Sequence, residues 1–99
     1  MTEPVRRLLV AYDIAEDRRR EQMAHLLESY GDRVQYSVFI VDGRPAAFIR
    51  MRRRLESLVD FRSDSVIFCD LGPLASLDTD RFTTIGRARP LTSSGPLIV

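Results

Sequence analysis

The sequence predicts a small α/β (α+β) fold, a split β-α-β sandwich in which two helices cover one face of a single sheet. Three observations predict it. The chain has apolar, β-branched stretches of strand length, stretches of helical periodicity lie between them, and 99 residues suit one domain over 1–99. A domain of this size buries a modest core, so association with a partner is a natural way to add buried surface.

The first strand and the first helix follow from the spacing of apolar residues. Val5–Ile14 is apolar on both faces from Leu8 to Tyr12, which is typical of a central strand. A helix is predicted from Asp17, an acceptable N-cap, and Gly31 is expected to end it as the C′ residue. Its apolar positions at i, i+3, i+4 and i+7 are Met23, Leu26, Leu27 and Tyr30.

The second half of the chain repeats this pattern. Arg33–Val41 is β-branched and aromatic and is expected to form one continuous strand, followed by a turn at Asp42-Gly43. Pro45 suits the first position of a second helix. The apolar stripe of that helix comprises Phe48, Met51, Leu55, Leu58 and Val59. Further strands are expected at Ser65–Leu71 and Phe82–Ile85, and strands interleaved with two helices in so short a chain indicate the ferredoxin-like class.

The sheet face opposite the helices needs a cover of its own. The side chains expected there are Tyr12, Tyr36, Val38 and Phe39. They are too apolar to remain in water, so a sheet-to-sheet homodimer is predicted. The chain ends in Leu97, Ile98 and Val99. These residues either fold back onto their own sheet or add to a sheet edge of a second subunit, and composition leaves both open.

Composition restricts the class of protein. No apolar run approaches the roughly 20 residues of a membrane span, and the N-terminus lacks a signal-peptide pattern, so the expected location is the cytoplasm. Cys69 is the only cysteine and His25 the only histidine, which excludes an internal disulfide and disfavours a zinc site. Cys69 is expected to be an inert core thiol. All 15 basic residues are arginine, a bias that a GC-rich coding sequence explains, although arginine is also the better phosphate ligand.

Asp13 is the most informative single residue, because it closes a buried strand where α/β folds commonly carry functional groups. Two interpretations stay open. Asp13 caps a turn by accepting from downstream amides, or it helps to hold a divalent cation. One carboxylate is a poor Mg²⁺ site by itself, but a dimer axis near the strand ends would bring two of them together.

Two groups of arginines are candidates for phosphate contacts. The first occupies the first turn of the predicted helix: Arg18, Arg19 and Arg20. Amides and guanidinium groups form an anion site there, although a structural network with neighbouring acids explains these arginines too. The second lies on the outer face of the second helix: Arg50, Arg53 and Arg54. This face either contacts a duplex backbone or is simply solvated.

Several motifs, taken in order, resemble those of a known family: Y-D-I at 12–14, D-R-R-R at 17–20, Y-G-D-R-V-Q-Y-S-V-F at 30–39 and the terminal L-I-V. In order and spacing, nearly the whole chain is similar to CRISPR-associated protein two, the small partner of the CRISPR integrase in spacer acquisition. The resemblance implies a homodimer whose C-terminal strand, here residues 96–99, is exchanged onto the partner's sheet. It also implies a bridge between two integrase dimers that holds a prespacer DNA duplex.

Some members of that family are described as metal-dependent endonucleases acting on RNA or duplex DNA. In that light Asp13 resembles the family's Mg²⁺- or Mn²⁺-binding aspartate, one from each subunit, and Tyr12 is its catalytic companion. Other matches to functional positions are Arg19, Arg20, Arg33 and Phe39. Arg33 would contact nucleic acid or, like Ser37, secure the second strand as a framework residue. The chain departs from the family pattern at Ile40, where glutamate is common.

A dimeric adaptor of CRISPR adaptation is the leading hypothesis. Nuclease activity is a separate hypothesis, since the sequence offers a metal-binding carboxylate but no evident general base. A small ribonuclease toxin of the same fold is the alternative, and growth arrest on expression that Asp13→Ala abolishes would identify it. A ligand-sensing module is the third interpretation, and it predicts an apolar pocket without salt-dependent duplex binding.

Overall fold

Four strands and two helices follow one another in the order β1-α1-β2-β3-α2-β4. They come from a computed structural model that describes residues 3–77 and 83–89. The elements are β1 (Arg6–Asp13), α1 (Asp17–Glu28), β2 (Asp32–Gln35), β3 (Val38–Gly43), α2 (Pro45–Glu56), β4 (Ser65–Pro73) and a short 3₁₀ turn (Leu74–Ser76). Pro45 opens α2 as predicted, because its fixed φ suits a first helical position.

The strands form one sheet in the spatial order β2-β3-β1-β4, with every neighbouring pair antiparallel. Both helices pack on the same face of this sheet, where a single core joins them to the central strands. The side chains in that core that are almost fully buried are Phe39, Met23, Leu27, Met51, Leu55 and Val10. The predicted ferredoxin-like sandwich is therefore confirmed.

The prediction of one continuous strand over Arg33–Val41 is wrong. The chain reverses at Tyr36 and Ser37, so that β2 and β3 form an antiparallel hairpin. The backbone N–H of Tyr12 donates to the Ser37 carbonyl at 3.1 Å, which ties the turn to the end of β1. This turn contains no Gly, Asn or Pro, and Ser37 is the one residue in it of a type that usually marks a reversal.

The residues expected on the uncovered sheet face were also assigned wrongly. Tyr12 and Phe39 point toward the helices and are buried, Tyr36 lies in the turn with 65% of its surface exposed, and only Val38 remains on the other face. Pairing across the strands defines what we call the open face: Leu9, Ala11, Val38, Ile40, Ile67 and Cys69. Cys69 is exposed on it, so the prediction of a core thiol is wrong as well.

Two local predictions about turns and caps fail for identifiable reasons. Asp42 and Gly43 lie within β3, where Asp42 is held by an ion pair, and do not form a turn. Gly31 does not adopt the left-handed conformation expected of a C′ residue. A Cβ at that position would instead lie 2.1 Å from the carbonyl oxygen of Ile40, so glycine is required there by the close approach of β3.

The C-terminal predictions fall partly outside the described residues. Residues 83–85 of the expected strand Phe82–Ile85 are irregular, and Phe82 itself is not described. The terminal residues Leu97, Ile98 and Val99, and with them the expected exchanged strand, also lie outside the described part of the chain. Within 3–77 and 83–89, neither helix has the length and apolar character needed to cross a membrane.

Candidate nucleic-acid interface and metal site

Asp13 is the last residue of β1, and its Cα pairs with that of Ser65, the first residue of β4. It lies on the open face two residues beyond Ala11 and is exposed. Its carboxylate has no hydrogen-bond or ion-pair partner among residues 3–77 and 83–89. The interpretation of Asp13 as a turn cap is therefore wrong, and its carboxylate is available to a ligand.

Glu16 is the N-cap of α1, and the prediction that Asp17 would take this position is wrong. Its carboxylate accepts from the backbone N–H of Arg18 at 3.0 Å and of Arg19 at 2.9 Å, at the N-terminus of α1. Both hydrogen bonds lower the pKa of Glu16, and the one from the Arg19 amide has the larger effect. The amides that could have formed an anion site with the arginines already bind a carboxylate of the chain itself.

Arg19 joins α1 to the segment before β4. Its Nε donates to Oδ2 of Asp64 at 2.7 Å and its Nη2 to Oδ1 at 3.2 Å, while the Asp64 side chain is completely buried. The backbone N–H of Asp60 donates to the same carboxylate at 2.8 Å. Hydrogen bonding by Arg19 lowers the pKa of Asp64, and that by Asp64 raises the pKa of Arg19. Arg19 therefore has a structural role that sequence spacing did not reveal.

The neighbours of Arg19 differ in their freedom. Arg20 pairs with Asp17 and also donates to the carbonyl oxygens of Ile14 and Ala15, each at 3.1 Å. Arg18 is exposed, and its guanidinium has no partner in the described part of the chain. Of the three arginines predicted to bind nucleic acid here, Arg18 has the guanidinium that is free for a phosphate.

Arg33 belongs to an aromatic cluster at the β2–β3 hairpin. Its guanidinium carbon lies 5.3 Å from the ring centre of Phe39 and 5.6 Å from that of Tyr36. Tyr12 stacks on Phe39 with ring centres 6.3 Å apart, and its hydroxyl lies 3.4 Å from the Tyr36 carbonyl. Tyr12 therefore points to the face opposite the neighbouring Asp13, and the two side chains are not brought together.

Four arginines of α2 are exposed, and three of them lie on the face that the sequence predicted, which we call the α2 arginine face: Arg50, Arg53 and Arg54. The Nη1 of Arg54 donates to the hydroxyl of Tyr30 at 3.2 Å, a neutral partner that leaves its charge uncompensated. Arg52, on the same helix, lies over the Phe68 ring at 5.3 Å and 3.8 Å from Glu56. The face thus presents three guanidinium groups without an acidic partner among the described residues.

Comparison with known proteins agrees with this fold. Residues 6–74 match the sequence model of the family described as CRISPR associated protein Cas2. The chain belongs to the Cas2 family. A relative from Rhodospirillum rubrum, named CRISPR-associated endoribonuclease Cas2 3, is 35% identical over 97 residues, which cover 93% of this chain and 99% of that protein. The crystal structure of Streptococcus pyogenes Cas2 superposes with a TM-score of 0.66 at 32% identity, covering 81% of this chain and 99% of that one.

A relative from Synechocystis, also named CRISPR-associated endoribonuclease Cas2 3, is 46% identical over 63 residues, covering 64% of this chain and 68% of that protein. The predicted family is confirmed. The roles that the resemblance implies for particular residues stay predictions, since the comparisons identify the family and not the function of single side chains.

A divalent cation would find a free carboxylate ligand, Asp13, among the residues described. The residues described contain no group of three or more His, Cys, Asp or Glu side chains that could hold a metal ion. Asp13 provides a free, exposed carboxylate, the kind of oxygen ligand that Mg²⁺ takes one or two of, with waters and phosphates completing the octahedron. The residues described therefore fit a cation whose remaining ligands come from a second carboxylate or from substrate.

Proposed function

We propose that the chain acts as a homodimeric adaptor in CRISPR adaptation, which binds prespacer duplex DNA and bridges two dimers of the integrase. The observation that carries the proposal is the α2 arginine face, with three exposed guanidinium groups on one side of one helix. Guanidinium groups form paired hydrogen bonds with phosphate oxygens, and three of them grouped on one face of a helix suit the phosphate backbone of a duplex.

Salt dependence of duplex binding tests this proposal. A protein that neutralises Z phosphates loses affinity with a slope of log K against log salt of about −0.9Z. Replacing Arg50, Arg53 and Arg54 together by glutamine should therefore make the slope shallower by about 2.7 if each contacts one phosphate. Arg52→Gln is the matched control, because Arg52 is engaged with Glu56 and Phe68. An unchanged slope in the triple variant would remove the support for duplex binding by this face.

The open face supports the proposed homodimer. Ile67, in the edge strand β4, is 59% exposed there, and Cys69 lies two residues further along the same face. Ile67→Lys should dissociate the dimer in light scattering. Ile49→Lys is the control, since Ile49 is similarly exposed, at 56%, but lies on α2. A bismaleimide should link two copies through Cys69, and failure of both results would contradict pairing through this face.

The exchanged C-terminal strand and the integrase partner are part of the same proposal. Two measurements test them: a pull-down with the integrase, repeated after deletion of Leu97–Val99, and the molecular mass in solution of the truncated protein, which gives its oligomeric state. We expect the deletion to weaken both dimerisation and capture of the integrase. A truncated chain that stays dimeric and binds the integrase normally would contradict strand exchange.

Metal-dependent endonuclease activity is a second candidate function, which the free carboxylate of Asp13 favours. The relatives described above are named endoribonucleases, and RNA as well as duplex DNA is a substrate class to test. A bound Mg²⁺ or Mn²⁺ would supply Lewis-acid polarisation of a phosphate oxygen, with Asp13 of each subunit as its protein ligand. Calorimetric titration with both metals should show binding that Asp13→Ala abolishes. Identical titrations for the two proteins would rule out Asp13 as the ligand.

A further inference from the structure

A pocket on the helix side of the sheet lies between the segment after α1, the end of β3 and α2, and its volume is about 220 Å³. Two core residues, Val41 and Met51, contribute to its lining. Tyr30 and Phe48 line it as well, and both rings are only partly buried against the core. The pocket therefore offers an apolar surface with two aromatic side chains.

The charges around this pocket favour an anionic ligand. Arg50 and Arg54 line it one helical turn apart, and both are exposed and without an acidic partner among residues 3–77 and 83–89. Asp42 lines it too, but its buried carboxylate accepts two hydrogen bonds from Arg7, which neutralises its charge. The first turn of α2 contains no acidic residue, so the positive end of the helix dipole adds to the potential of the arginines.

The pocket stays accessible in the proposed homodimer. Neighbouring residues of a strand point to opposite faces of the sheet, so Val41 faces the helices whereas Ile40 belongs to the open face. None of the residues that define the open face lines the pocket. A second copy packed on the open face therefore leaves the pocket uncovered, beside the arginines that are proposed to hold duplex DNA.

We propose that this pocket binds one unpaired base of a nucleic-acid strand that leaves the duplex on the α2 arginine face, with the phosphate of that nucleotide on Arg50 and Arg54. Pockets for whole small molecules begin at roughly 300 Å³, so this smaller one admits a single base and leaves the phosphate at its rim. Aromatic side chains stack on bases of any sequence. A paired base cannot enter without leaving its duplex. The inference rests on the proposed function and adds the strand state that the site recognises.

Fluorescence anisotropy with three labelled hairpin duplexes tests the inference. The first is blunt, the second carries a short overhang of unpaired thymidines, and the third carries an abasic overhang of the same length. The two overhangs have the same phosphates and differ only in their bases. The thymidine overhang should therefore bind about tenfold or more tightly than the abasic one, the gain expected from stacking one base on an aromatic side chain.

Ala47→Leu fills the pocket and leaves every arginine in place, since Ala47 lines it from the first turn of α2. This variant should bind the two overhang hairpins equally and keep the affinity of the unmodified protein for the blunt one. Ala46→Leu is the matched control, because Ala46 is exposed on the same turn and does not line the pocket. A measurement on the unmodified protein uses 2-aminopurine in the overhang, whose fluorescence should fall on binding because stacking quenches it.

Each result bears on the inference. Equal affinity of the unmodified protein for the thymidine and abasic overhangs overturns it, and so does unchanged 2-aminopurine fluorescence. A preference for the thymidine overhang that survives in folded Ala47→Leu, or that Ala46→Leu also abolishes, overturns the pocket as the place of the base.

Thymidine 5′-monophosphate, added as a competitor, distinguishes a free nucleotide from one in a strand. We expect an equimolar amount to leave the overhang hairpin bound, because the free nucleotide lacks the duplex contacts. Displacement would make the free nucleotide the ligand and overturn the assignment to a strand. Failure of the unmodified protein to bind any of the three hairpins would overturn the proposed function as well, whereas binding without a preference among the overhangs overturns this inference alone.

Discussion

The ion pair between Arg7 and Asp42 gives a prediction whose size follows from its geometry. The Nε and Nη2 atoms of Arg7 donate to the two carboxylate oxygens of Asp42 at 2.7 and 2.9 Å. The Asp42 side chain is 7% exposed and that of Arg7 20%. Removing one partner of a buried pair costs about 3–5 kcal/mol. Because Arg7 keeps some contact with water, we expect Asp42→Ala to lower the free energy of unfolding by about 2–3 kcal/mol.

Urea denaturation followed by circular dichroism measures this loss, and the melting temperature should fall by about 8–16 °C for the first 2 kcal/mol. The double variant Arg7→Leu/Asp42→Leu should be within about 1 kcal/mol of the unmodified protein, because an apolar pair replaces the ion pair without leaving a charge unpaired. A loss below about 1 kcal/mol in Asp42→Ala would refute the assignment of a buried, closed pair. Repeating the measurement on diluted protein shows whether the dimer contributes, since only a dimer contribution depends on concentration.

Three further predictions concern the site and its frame. Hydrogen bonding to Arg19 lowers the pKa of Asp64 in the folded protein. The stabilisation that Asp64 contributes is therefore present above its unfolded-state pKa and is lost as the pH falls through its folded-state pKa. The free energy of unfolding, measured as a function of pH, should show a loss below about pH 4 that Asp64→Asn removes. Gly31→Ala should destabilise the fold by about 1–3 kcal/mol or more in urea, because its Cβ would press on the backbone of Ile40, and an unaltered midpoint would contradict that close approach. Tyr12→Phe should cost less than about 1.5 kcal/mol and leave nucleic-acid binding and cleavage assays unchanged, whereas a loss of cleavage alone would give the hydroxyl a catalytic role.

The candidate site was only partly accessible from sequence. The position of Asp13 at a strand end and the exposure of Arg50, Arg53 and Arg54 follow from local periodicity, and both are present in the structure. No local signal distinguishes an arginine that is free from one that is paired.

The sequence by itself determined both helices, the first strand and the fold class, because the periods of strand and helix are properties of neighbouring residues, but it did not reveal the reversal that divides Arg33–Val41 into β2 and β3. It did not determine which strand face meets the helices, since alternation divides a strand into two faces without saying which one is covered; Tyr12 and Phe39 were assigned to the wrong face for that reason. Nor did it determine which acids neutralise which arginines. Arg19 meets Asp64 across 45 positions and Arg7 meets Asp42 across 35, and only the packed sheet brings those residues together and leaves Asp13 unpaired.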